Sequence, residues 1–418
     1  MTERPISKVG SETSSADTGS VPGAGDFAEL VSDPISGARR AARLQFLLLG
    51  IAAGTWGTHI PSVSARYSLS DATLSIALLA SGVGTVTALF VAGTVIARIG
   101  ARSTSAASGL AMGLSLCFLL EYPGMLTLAA AMLLFGASMS LFDVAINTEG
   151  SELETLGGKP VMSNLHGMFS VGGMVGAGLT FALLHLSVSP RVQLYAVGAF
   201  LIVATLVASR AMLEQHASLG TDQRHFARPK GVLLLMGALV FAGMTAEGVL
   251  YDWSVLYLEH DLAMPHARAA LGYATFTGSM ALARFAGDAL RARFSERAVL
   301  RCSAVVAAVA MALVLLSGNG WIVFIGLAAV GAGLAPVAPI LFNAATRVPG
   351  VSRAAAIASV TTIGYSGFLV GPPIIGSIAT HSSLTTALWL VVVSAALVAW
   401  GARFVPDERP AQGGGATN

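Results

Sequence analysis

LFDVAINTEGSELE, residues 141–154, closes an apolar run that begins at Met125. A run of that length places the first half of the stretch inside a membrane. Asp143 and Asn147 stand four residues apart, which sets both side chains on one face of a helix. A carboxylate in hydrocarbon costs roughly 2.5 to 3.5 kcal/mol even on the gentlest scale, so Asp143 must face a polar interior or carry a proton. That makes it a candidate proton or substrate site. The competing reading is a residue near a helix end: with an exit at Gly150, Asp143 lies about 10 Å from that end.

The rest of the chain agrees with a membrane setting. It has 418 residues, 54% hydrophobic and 11% charged, with mean hydropathy +0.73. Soluble domains carry about 25% charged residues, so this is an integral membrane protein. Its 47 glycines suit the close helix contacts that small residues permit in lipid. A net charge of +2 is too small for a nucleic-acid partner, and no basic or aromatic binding stretch occurs. Cys117 and Cys302 sit inside apolar runs and read as small buried hydrophobes. There is no zinc spacing, P-loop or nucleophile elbow. Neither a cofactor nor enzymatic activity is expected.

Residues 1–38 are polar, rich in Ser, Gly, Asp and Pro, and read as a disordered tail. Twelve apolar segments follow, near 42–65, 73–97, 104–121, 125–149, 161–186, 191–213, 231–257, 268–290, 298–317, 320–345, 353–378 and 384–403. Each has about the 20 residues a helix needs to cross the hydrocarbon core. The expected fold is an all-α integral membrane protein with twelve transmembrane helices in two six-helix halves. The halves cover 39–213 and 231–405, joined by a polar connection at 214–230 and followed by a tail at 406–418.

Basic residues divide unevenly between alternate connections. One side holds Arg39, Arg40, Arg43, Arg98, Arg102, Lys159, Arg210, Arg224, Arg228, Lys230, Arg291, Arg293, Arg297, Arg301, Arg347, Arg353, Arg403 and Arg409; the other holds Arg66, Arg191 and Arg268. Positive charge stays inside, so both termini are expected in the cytoplasm of a bacterial inner-membrane protein. The halves also repeat. RIGAR at Arg98–Arg102 aligns with RFSER at Arg293–Arg297, and Gly172 to Gly176 with Gly367 to Gly371. Repeated halves around a long central loop suggest a transporter that rocks about a site near the midplane.

The motifs are specific enough for a family resemblance. Gly93-Thr94-Val95-Ile96-Ala97-Arg98-Ile99-Gly100-Ala101-Arg102 resembles the loop signature of the major facilitator superfamily, with Ala97 in place of the acid and Ala101 in place of one basic residue. Asp143 to Gly150, His166 to Ser170, Ala246-Glu247-Gly248 with Asp252-Trp253, and Gly364-Tyr365 with Val370-Gly371-Pro372-Pro373 are similar to the fucose-permease-like branch and its bacterial inner-membrane relatives. In proton-coupled fucose permease an acid four residues before an Asn in span four takes the coupling proton, and by that resemblance Asp143 inherits the role. The acid which that family places in span one has no counterpart near Pro61, where Trp56, Gly57, Thr58 and His59 stand instead.

Glu247 is the second candidate proton carrier, past the midpoint of its span, with Gly243 and Gly248 permitting a bend. Substrate-binding candidates are Trp56, His59, Asn147, His166, Trp253 and Arg284. Each has a plainer reading: an interhelical hydrogen bond for Asn147, a packing histidine for His166, an interfacial anchor for Trp253. For Arg284 the plainer reading is an ion pair with Asp288 four residues on. Asp252 lies nearer the outer end. Glu149 is a possible partner for a basic gate residue, while Glu152 and Glu154 read as a solvated face. Arg98, Arg102, Asp288, Arg293 and Arg297 form the expected inner gate.

Together these point to a monomeric secondary transporter of a small polar solute, coupled to protons and working in a lipid bilayer. The alternatives are a proton-driven exporter of drugs or metabolites and a non-transporting receptor. The exporter hallmark, a Gly-Pro pair in span five, is missing there and occurs as Gly371-Pro372 in span eleven. The receptor would be expected to carry an ordered signalling domain.

The basic asymmetry makes a first prediction. A tag at Asn418 should stay protected from a membrane-impermeant reagent in intact cells and react after permeabilisation. Labelling in intact cells would overturn the orientation.

Overall fold

The computed structural model describes residues 24–158, 161–214 and 231–406. Among the described residues there are helices and turns but no strands. Helix α1 is Ala24–Tyr67, α2 Asp71–Cys117, α3 Met125–Gly157, α4 Met162–His185 and α5 Pro190–Ser209. After the central connection come α6 Val232–His260, α7 His266–Arg293, α8 Glu296–Ser317, α9 Gly320–Leu334 and α10 Val337–Ala345. The last are α11 Arg353–His381, α12 Leu384–Ala387 and α13 Trp389–Gly401.

Among the described residues, ten helical segments are long and apolar enough to span a membrane. The expected twelve emerge once two local effects are considered. Gly100, at φ 81° and ψ 158°, breaks α2 into two crossing arms, in a conformation that glycine adopts without the steric penalty of a side chain. Helix α7 spans a similar length but carries His266 and Arg284 and falls below the apolar threshold. Pro336, which cannot donate a backbone hydrogen bond, divides the tenth span into α9 and α10. Conversely, α6 is continuous through Gly243 and Gly248, so no break forms at Glu247. Helix α1 begins at Ala24, inside the segment that composition reads as disordered. Residues 215–230 and 407–418 lie outside the described residues, as does Lys159.

Side-chain oxygens start several helices. Ser70, Ser189, Ser295, Asn319 and Ser352 accept amides of the first turn, satisfying donors that a helix start leaves unpaired. Glu154 does the same from a distance: its Oε1 accepts the amides of Val161 at 2.6 Å and Met162 at 2.9 Å. It is therefore a helix-starting ligand rather than part of a solvated face.

The helices pack as two sets. In the first, α1 lies on α4, and α2 on α3 and α5; in the second, α6 lies on α11 and α13, and α9 on α7 and α8. Two seams, α4 with α7 and α2 with α11, join them, with α1 touching α6 and α7. Within a set the backbones nearly touch. A methyl group on Gly50 would sit 2.8 Å from the Gly172 Cα, and one on Gly84 2.8 Å from the Leu133 carbonyl carbon. Small residues are thus the contact surface of α1 with α4 and of α2 with α3. The outside is apolar, with Phe90 77%, Leu126 85% and Trp321 80% exposed, as a lipid-facing surface requires. Cys302 is exposed on that outside rather than buried, while Cys117 is half-buried.

Because the α1–α4 contact is backbone against backbone, Gly172→Val should overpack it. The expected loss is about 1–3 kcal/mol or more, read as a lowered Tm in detergent, whereas Gly178→Val, at an open position, should leave the Tm nearly unchanged. Equal Tm values for the two variants would refute this packing.

Candidate functional site

A cavity of about 590 Å³ lies between the two sets, within the usual size range for small-molecule sites. Its walls come from α1 (Trp56), α3 (Asp143), α4 (His166), α6 (Glu247), α7 (Arg284) and α11 (Tyr365). It runs to Ser163 at the start of α4 and to Leu290 and Arg291 at the end of α7. At the opposite end the seam is shut. His266 Nε2 lies 2.8 Å from the Thr58 carbonyl oxygen, and the Tyr273 hydroxyl donates to the Ala53 carbonyl at 3.3 Å.

The centre of the site is charged. Glu247 and Arg284 form an ion pair at 3.3 Å, with side chains only 12% and 13% exposed. The same Glu247 oxygen accepts the Tyr251 hydroxyl at 2.8 Å. Arg284 Nη1 donates to the Ser170 hydroxyl at 2.6 Å, so one guanidinium links α7 to both α6 and α4. Its Nε is buried with no hydrogen-bond partner among the described residues. Arg284 thus pairs across helices with Glu247; the side chain of Asp288, its expected intrahelical partner, lies outside the described residues.

Asp143 is compensated differently. Asn147 Nδ2 donates to its carboxylate at 2.9 Å and to its backbone carbonyl at 2.8 Å. The four-residue spacing therefore acts within one helix, and Asn147 itself is not on the cavity wall. No cation pairs with Asp143 among the described residues. Tyr365 lines the same cavity as Asp143 and Glu247.

Trp56 and His166 reach the cavity; the Trp56 ring leans on Phe135 at 5.7 Å, and the His166 ring meets Phe46 edge-on at 5.3 Å. Two other candidates do not. His59 is fully buried with its ring 6.2 Å from that of His266, and belongs to the shut end. Trp253 is fully buried too, so it is neither an interfacial anchor nor a cavity platform. Residues that sequence reading passed over include Tyr251, Tyr273 and Ser170. Tyr251 follows Glu247 by four residues, a spacing that by itself puts both on one helix face. Tyr273 and Ser170 carry no such signal, because they meet the site through tertiary packing.

The expected gate residues lie at the end to which the cavity opens. Arg98 and Arg293 are exposed. Arg102 meets Glu214 at 3.2 Å, with side chains 35% and 86% exposed, a surface pair of small energetic weight. Arg297 donates to the Val405 carbonyl at 2.8 and 3.1 Å, tying α8 to the end of the last span. Glu296 receives Asn343 Nδ2 at 2.7 Å and pairs with Arg347, which fastens α8 to α10. Glu149 accepts the Leu213 amide at 2.9 Å. These contacts are within a set, so they brace each half rather than lock one to the other.

Removing one partner of the central pair should expose its energetics. Arg284→Met strands Glu247 and should cost about 3 kcal/mol or more, since a buried charge left alone is expensive. Adding Glu247→Gln should recover much of that loss in thermal unfolding in detergent. Strictly additive losses would mean the two side chains do not interact.

Residues 233–417 match the Major Facilitator Superfamily profile. The chain is 35% identical over 371 residues to an uncharacterized MFS-type transporter of Yersinia pestis, covering 87% of this chain and 95% of that protein. It is 31% identical over 373 residues to the membrane protein MosC of Rhizobium meliloti, covering 89% and 91%. Among solved structures it is similar to a D-xylose-proton symporter, with TM-score 0.72, 14% identity, and 89% and 98% of the two chains covered. The Escherichia coli fucose:proton symporter FucP follows the same fold, with TM-score 0.62, 15% identity and coverage of 88% and 98%. At these identities the structures speak to the fold alone, while the 35% relative carries the family. The chain belongs to the major facilitator superfamily, as a multi-pass membrane transporter rather than an enzyme.

Proposed function

We propose that this protein moves a small polar solute across the bacterial inner membrane by alternating access, and that a proton on Asp143 drives it. Three acids line the cavity, Asp143, Glu247 and Asp252, and the observation that carries the reading is the contrast between Asp143 and Glu247. Glu247 has a cation and a hydroxyl on one oxygen, so its charge is already offset. Asp143 faces the same cavity with an amide from its own helix as its hydrogen-bond donor. When the cavity is open, water solvates that carboxylate. When the halves rock and close over it, solvation is lost and the neutral form is favoured. Protonation therefore lowers the cost of passing through the occluded state, which couples proton movement to the rocking of the halves.

The structural neighbours named as D-xylose-proton and fucose:proton symporters share this fold, and the reading extends their kind of solute to this chain. The cavity wall supports the reading, mixing carboxylates, tyrosine hydroxyls and an indole ring in the pattern that orients a polar solute. On the orientation set by the basic residues, the open end faces the cytoplasm and the contacts at Thr58 and Ala53 close the outer side. Arg98, Arg102, Arg293 and Arg297 then lie around the inner mouth.

The test is reconstitution in liposomes with an internal pH dye, scanning sugars, polyols, organic acids and common drugs. With the solute identified, Asp143→Asn mimics the protonated state. It should reduce gradient-driven accumulation to background and leave counterflow exchange largely intact. Unimpaired accumulation in the Asn variant would sink the proposal, and Glu247 would become the leading acid. If Asp143 served only to hold the fold, the variant would lose stability and both activities together.

A further inference from the structure

The cavity holds more acid than its central arginine offsets. Glu247 already engages Arg284. Asp143 and Asp252 line the same cavity, and among the described residues neither is in an ion pair. The other cation on the wall, Arg291, is at the mouth, ~10 Å along α7 from Arg284. An anionic solute would thus meet two uncompensated carboxylates and a guanidinium whose charge is already shared.

Asp252 shares the cavity wall with aromatic side chains. The Tyr251 and Tyr273 rings are 5.8 Å apart, and Tyr251 directly precedes Asp252 in α6. Both rings line the cavity together with Trp56. Aromatic faces beside a carboxylate attract an ammonium group by cation–π and charge terms that strengthen as water leaves. A separate observation points to an occupant. Ser140, one helical turn before Asp143, lines the cavity and is 5% exposed, yet its hydroxyl has no hydrogen-bond partner among the described residues. A buried hydroxyl without a partner is costly, and a polar atom of a bound solute would satisfy it.

We propose that the solute carries a protonated amine, held by Asp252 among the rings of Tyr251, Tyr273 and Trp56, with Ser140 taking one of its polar atoms. This rests on the reading of the cavity as the solute site and adds the chemical class. A neutral solute would leave Asp252 without a counter-charge when the site closes, while an ammonium supplies one. Asp143 stays free for the proton.

The experiment is a thermal-shift titration of the purified full-length protein in detergent, using millimolar glucosamine, N-acetylglucosamine, glucose, glucuronate and tetramethylammonium. These sugars share a ring and differ in charge. Glucosamine should bind about tenfold more tightly than glucose or N-acetylglucosamine, the gain of one well-placed charge pair, and glucuronate should not stabilise. Asp252→Asn should erase the preference, bringing glucosamine to the level of glucose, and Ser140→Ala should weaken the sugars while keeping the preference. The acetylated sugar tests the amine in the wild-type chain, so the outcome does not hang on a variant that folds. Equal affinities across the sugars, no shift with any amine, or a preference that survives in Asp252→Asn would overturn the proposal. Amine-selective binding without proton-coupled uptake would refute the coupling and leave this inference standing; coupled uptake confined to neutral or acidic solutes would do the reverse.

Discussion

A charge inside a membrane protein must be paired, solvated or neutralised, and Arg284 meets that demand for three helices at once. Its guanidinium, on α7, reaches Glu247 on α6 and Ser170 on α4. The α6 contact lies within one half, whereas the α4 contact crosses the seam to the other. A pair buried this deeply adds little net stability, since desolvation offsets most of its attraction, but its loss is expensive. It therefore acts chiefly as a constraint. While Glu247 and Arg284 stay together, α6 and α7 are held in one register, and the position of Ser170 against them reports how α4 lies on α7.

Around that centre the two kinds of helix contact differ in stiffness. Within a half, glycine backbones meet at Gly50 with Gly172 and at Gly84 with the Leu133 peptide. Contacts made by main chain cannot yield by changing a rotamer, so each half moves as a block. Across the seams the neighbours include side chains: Thr277 beside Gly173, Met174 beside Gly278, Leu369 beside Gly82. Side chains can slide and repack, and methionine does so readily.

The fold was legible because the membrane imposes length and polarity rules that a sequence displays directly. Runs of about 20 apolar residues, the charge bias and the repeat of RIGAR in RFSER need no tertiary information. Where the reading fell short, the cause was local. Gly100 hides a crossing point inside one long helix, and Pro336 a break inside one span. The site was legible in part: the acids and the arginine are conspicuous in apolar surroundings, and Asp143, Glu247, His166, Trp56 and Arg284 do share a cavity. Their partners were not conspicuous. Glu247 lies in a different helix from Arg284, so no spacing links them. His59 and Trp253 look functional by type and depth, but which way a helix faces is settled by its neighbours, and both point into packed interior.

The shut end shows how little energy needs to change hands for the site to open to the other side. The cross-seam hydrogen bonds there, His266 to the Thr58 carbonyl and Tyr273 to the Ala53 carbonyl, contribute about 1 kcal/mol each once exchange with water is counted. Both acceptors are on α1, so a small displacement of that helix with α4 releases them together. Asp143, on α3, touches neither bond. Its protonation state therefore cannot reach the shut end through a chain of contacts, and any coupling must act through the solvation of the cavity they share. A water-filled cavity tolerates the carboxylate in either outward or inward state; the closed intermediate does not. On the proposed reading the charge is then a barrier to the passage between states rather than a bias toward one of them.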